Sequence, residues 1–152
     1  MDAPKVNFTP EETTFDVVRK FVRPADLPID ARVEPVELKT YKLNAVILAY
    51  KLETDHDFHI VIADPQNKKN TIIAEIVDPG CSRVCQSKQL EKMKAVRDKF
   101  VKKLGEPDSS FKDAEIPVTI TGVGFFDFRH SQRGVAPNAF ELHPVLDVDF
   151  GK

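Results

Sequence analysis

The chain of 152 residues has only two cysteines, Cys81 and Cys85. No second cysteine pair exists to complete a four-cysteine zinc site. Two readings of the pair stay open. They are free thiols near a helix start, or a local disulfide where the backbone is not regular helix, because bridge geometry is strict. Long apolar runs are missing too. A membrane-spanning helix needs roughly 20 such residues, and the longest stretch, Ala45 to Tyr50, has the length of a strand. The opening Met1-Asp2-Ala3-Pro4-Lys5 lacks the charged-then-apolar pattern of an export signal. The expectation is a soluble chain without a transmembrane segment, either cytoplasmic or a mature exported chain whose signal has been removed. Neither charge sign dominates. A net charge of −2 argues mildly against a dedicated nucleic-acid binder. There is no Gly-x-Ser-x-Gly elbow and no phosphate loop, so the reading leans away from an enzyme.

What is present suits a folded domain. Hydrophobic residues make up 41% and charged residues 30%, enough apolar surface to bury a core. Residues 1–35 read as a lead segment. Thr9 is placed to cap a short helix with Pro10 at its first position and Glu12 three residues after the cap. Phe15, Val18 and Val22 continue it at helical spacing until Pro24, and Pro24, Pro28 and Pro35 mark an extended connector.

Residues 36–152 read as the main domain. Strands are expected over Val36–Leu52, Phe58–Ala63 and Thr71–Val77, separated by polar turns. Leu90, Met93, Val96 or Arg97, Phe100 and Leu104 then recur at three- and four-residue steps, and Gly105 is placed to stop that helix. Two more strands follow, over Ile116–Phe126 and Ala139–Phe150. Three strands, a helix and two strands predict a mainly β fold: a five-stranded antiparallel barrel of OB type with one amphipathic helix between strands three and four.

Successive residues of a strand alternate between its faces. His59 therefore shares a face with Val61, Glu75 with Ile73, and Glu141 with His143. The third and fifth strands are neighbours in this fold, which brings Glu75 toward His143. His59, Glu75, Glu141 and His143 are the candidates for acid–base work, and His59, Glu75 and His143 for a divalent metal. A second constellation lies in the loop before the last strand, where Phe128, Arg129, His130, Gln132, Arg133 and Asn138 are candidates for ligand binding. Aromatics there would stack on bases while arginines meet phosphates. The bland alternatives are separate hydrogen-bonded groups for the first set and a solvated basic loop for the second.

The runs Gly122-Val123-Gly124-Phe125-Phe126-Asp127, His130 to Asn138 and Glu141-Leu142-His143-Pro144-Val145, with Asp57-Phe58-His59 and Ala74 to Cys81 upstream, resemble a set of uncharacterised small bacterial proteins, many of them exported. The resemblance covers roughly residues 36–150. It implies an OB-like barrel and a set of recurring polar positions, and it implies no particular activity. Ser131 replaces a glycine of that pattern, while Arg133 and Cys85 are additions to it. Three functions follow as expectations. The first is a ligand-binding module for single-stranded nucleic acid, a peptide or an oligosaccharide, a list that rests on fold analogy. The second is a metal-dependent hydrolase or nuclease, and the third a protein-interaction domain without a small ligand.

Overall fold

The computed structural model describes residues 6–28, 32–80, 89–127 and 133–151. Cys81 and Cys85, and with them the question of their pairing, lie outside the described residues. So do Phe128, Arg129, His130 and Gln132.

The described chain is mainly β. Strand β1 (Asn7–Glu12) and a short helix α1 (Phe15–Val18) lead through a 3-10 turn at Val36–Leu38 into β2 (Lys39–Leu52), β3 (Phe58–Asp64) and β4 (Asn67–Ile76). Helix α2 (Leu90–Leu104) follows, then β5 (Lys112–Phe126) and β6 (Phe140–Asp149). All six strands belong to one sheet of order β1-β2-β3-β4-β6-β5, and β5 pairs back onto β2. The pairings of β2 to β6 thus run round a closed ring.

Two expectations are corrected here. The sheet has six strands rather than five, and it is mixed rather than antiparallel. β4 pairs with β6 in parallel through Ile73↔Glu141 and Ala74↔Leu142. Parity is the reason. Each antiparallel neighbour reverses direction, so a ring with an odd number of strands cannot close on reversals alone. One parallel pair is required, and the crossover through α2 and β5 provides the length it needs.

The sixth strand is β1, in the lead segment where a helix from Thr9 was expected. It pairs with β2 in parallel, with Pro10↔Thr40 and Glu12↔Lys42 in register. β3 covers the same edge of β2 only from Val46 to Leu52. The edge near Thr40 is therefore open to another strand, and β1 pairs with it there. Pro10 is tolerable on an edge strand. The helix starts later, with the Thr14 hydroxyl accepting from the Val17 amide at 3.3 Å. Phe15 and Val18 are buried, whereas Val22 is 88% exposed and does not join the apolar stripe.

Residues 36–38 turn instead of beginning the strand. Glu37 is buried, and its carboxylate accepts from the Val33 amide at 2.6 Å and the Phe126 amide at 2.7 Å. It ties the connector to the end of β5. Helix α2 follows its spacing: Met93, Val96 and Phe100 are buried, and Gly105 leaves the helix at φ 88°. Phe100 packs edge-on to Tyr50 and tilted on Phe58. Inside the ring, Ile60, Ile62, Ile72, Ala74, Ile76, Phe140 and Leu142 form a core with no exposed member. Among the described residues no helix is long and apolar enough to cross a membrane.

Candidate metal centre

The outward faces of β3, β4 and β6 are also covered. Gly134 takes φ 93°, and a Cβ there would meet Val61 Cγ1 at 2.7 Å. Only glycine allows the loop before β6 to lie this flat on β3. Its carbonyl accepts from Thr71 Oγ1 at 2.9 Å. The preceding residue places its own carbonyl 3.1 Å from His59 Nε2. The Phe111 ring meets the edge of the imidazole at 5.6 Å between centroids.

His59 is thereby 1% exposed, Glu141 2% and Glu75 8%. Strand register makes His59 and Glu75 direct cross-strand partners. A carbonyl oxygen only accepts, so His59 Nε2 carries the hydrogen donated to Arg133. In the neutral ring Nδ1 is then a bare lone pair. It lies 3.3 Å from Glu75 Oε2 and 3.8 Å from Glu53 Oε1, yet it has no aligned hydrogen-bond partner. An acceptor buried against two carboxylates is repelled by both. Two arrangements relieve that: a proton on Nδ1, or a cation between the three groups.

The polar groups fall into two donor sets. Glu53, His59 and Glu75 bring one ligand atom each within 4.8 Å of one another, as do Asp57, Glu75 and His143. Glu75 belongs to both. Asp57 is held by the Asp78 amide, which donates to its Oδ1 at 2.8 Å. His143 Nδ1 lies 3.7 Å from Glu141 Oε1, and its ring packs on Phe125 at 5.2 Å.

The titration of these groups reflects the crowding. Burial pushes the Glu141 carboxyl up to about 7 against the opposing pull of His143. Burial raises Asp57 as well, in spite of the Asp78 amide. Burial alone would lower His59, but Glu75, the Arg133 carbonyl and Glu53 outweigh it, and the net direction is up. His143 is likewise raised, by Glu141, Glu75 and Asp57 against its burial.

The structure thus brings His59 and Glu75 into one set and His143 and Glu75 into the other, while Glu141 supports His143 from beside it. Arg133 and Asn138 contribute differently from a ligand-reading loop. The Arg133 guanidinium bonds Asp113 Oδ1 at 3.0 Å and lies 4.9 Å from the Phe111 ring centroid. Asn138 is 7% exposed. Its amide donates to the Val18 and Phe21 carbonyls at 3.0 Å each and accepts from the Phe140 amide at 3.1 Å, which holds α1 on the loop. Glu53, Asp57 and Phe111 did not emerge from the sequence as site residues. Extending the alternation of β3 back from His59 would have reached Asp57; Glu53 sits across a polar turn that carries no period.

No family model, curated protein or solved structure matches this chain.

Proposed function

We propose that this chain is a metalloprotein of OB type, whose outer strand face holds a divalent transition-metal ion between Glu53, His59 and Glu75. The barrel reading is supported by the closed ring β2-β3-β4-β6-β5 and its parallel β4–β6 pair. Ligands of OB barrels gather on the face of the second and third strands and the loops beside it, which here are β3, β4, the Glu53–Asp57 turn and the loop before β6.

One observation carries the metal: His59 Nδ1, buried, without an aligned hydrogen bond and facing two carboxylates at 3.3 and 3.8 Å, with Nε2 already donating to a carbonyl. Histidines that bind metal characteristically donate their other ring N–H to a carbonyl or carboxylate, which fixes the tautomer. One imidazole and two carboxylates suit zinc or another first-row ion and leave a coordination position for water or an anionic ligand. Water activation for hydrolysis is the chemistry such an open position offers.

The test is calorimetric titration of chelator-treated, tag-free protein with Mn²⁺, Co²⁺, Ni²⁺ and Zn²⁺. At least one equivalent is expected to bind wild type, with loss of that binding in Glu75→Gln. No binding of any of the four ions would overturn the metal and leave a metal-free ligand-binding barrel.

A further inference from the structure

We propose that the same face holds two metal ions, bridged by the Glu75 carboxylate, with the second ion between Asp57, Glu75 and His143. This rests on the mononuclear reading and extends it.

Distance argues for two ions over one. Metal–donor bonds to nitrogen and carboxylate oxygen are about 2.0–2.2 Å, so donors on a single ion lie within about 4.4 Å of one another. Each donor set approaches that limit separately, within 4.8 Å, and Glu75 is the member they share. A closure of a few tenths of an ångström completes either set. A carboxylate has two oxygens and can give one to each ion, at the separation of about 3.5–4 Å found in two-metal sites.

Charge permits the second ion. Glu53, Asp57, Glu75 and Glu141 place four carboxylates around the two imidazoles. Lys51 Nζ reaches Glu53 Oε2 at 3.3 Å from a partly exposed position. With both histidines neutral and Lys51 counted on Glu53, two dications leave the group one charge positive and a single one leaves it one charge negative, so the carboxylates can accommodate a second ion.

The two positions differ in access. His59 lies under the Arg133 carbonyl and Phe111 with its side chain 1% exposed, whereas the side chain of His143 is 32% exposed. The inner ion is therefore the anchored one, and the outer ion is the one a dissolved anion reaches first.

The experiment combines metal stoichiometry by elemental analysis of dialysed protein with electron paramagnetic resonance of the Mn²⁺-loaded form. Wild type should retain two equivalents and show exchange coupling between them. His143→Ala should retain one equivalent with an uncoupled spectrum. Asp57→Asn, a near-isosteric change, serves as the second variant if His143→Ala fails to fold, and it should also retain one. One uncoupled equivalent in wild type, unchanged in both variants, would overturn the second ion and keep the first. No retained metal at all would overturn both readings.

Discussion

The two faces of β3 and β4 differ by a single residue step: the inner one is apolar throughout, and the outer one sets His59 and Glu75 beside buried Val61, Ala63 and Ile73. On the inner face Ile60, Ile62, Ile72, Ala74 and Ile76 are fully buried among apolar neighbours. On the outer face His59 and Glu75 are buried almost as deeply, against carboxylates and backbone carbonyls. Burial is thus the same and its energetic meaning is not. Apolar burial stabilises by about 25 cal/mol per Å². A buried charge destabilises unless it is paired and hydrogen-bonded. Apolar burial on both faces favours folding, and the His59–Glu75 pair is the arrangement that folding alone does not require.

The largest effects should separate the faces. Ile62→Ala is expected to cost about 2–5 kcal/mol, read by denaturant unfolding, with metal stoichiometry unchanged in the protein that remains folded. Glu75→Gln should do the reverse. It removes one charge from a crowded group of carboxylates, which offsets part of the cost of losing the attraction to His59, so the metal-free midpoint should fall less than in Ile62→Ala while the metal is lost. A large stability loss in metal-free Glu75→Gln would put the outer face in the same structural role as the inner one.

Gly134→Ala sharpens the comparison further. The added Cβ would press on Val61 and lift the Arg133 carbonyl from His59. Loss of a partner of this kind weakens metal affinity about 10–100-fold, measurable by competition with a chromophoric chelator.

A smaller effect should appear with pH. Glu141 is raised from 4.5 to about 7 by burial, so the folded, metal-free chain binds more protons than the unfolded one in that interval. Its stability should fall as pH rises between those values. His59 and His143 are also raised, which adds stability below their unfolded value that is lost as pH rises through the folded one. Metal needs the deprotonated ligands, so the rise in melting temperature on adding Zn²⁺ should grow from pH 5 to pH 8. A constant rise would contradict the coupling.

The smallest effect belongs to Arg133→Ala. The lost contacts are a solvent-exposed pair with Asp113 and a ring contact, worth about 1 kcal/mol or less. The backbone carbonyl stays, so metal affinity should be retained. Loss of metal in this variant would assign the side chain a role that its geometry does not suggest.

Features with a local period were legible in the sequence. The three- and four-residue recurrence of α2 ran to Gly105 as its stop, and two-residue alternation singled out His59, Glu75, Glu141 and His143 as residues whose strand faces could bring them together. What escaped depends on long-range contact. β1 is a strand because the edge of β2 beside Thr40 is open, and nothing in Asn7–Glu12 records that. The parallel β4–β6 pair follows from closure of an odd ring, a property of the whole sheet. Glu53 enters from a polar turn, and Arg133 contributes a carbonyl that every residue has. Asn138, read as a ligand-binding residue, satisfies the carbonyls of Val18 at the end of α1 and of Phe21 beyond it, a need visible only once the two segments meet.

The most direct measurement is a long-range ¹H–¹⁵N correlation spectrum of the histidine rings in chelator-treated protein, followed through addition of Zn²⁺. The His59 ring should carry its proton on Nε2 throughout, and its Nδ1 resonance should move to that of a metal-bound nitrogen as zinc saturates. A His59 Nδ1 that stays protonated, or a resonance unmoved at saturating zinc, would contradict the metal centre.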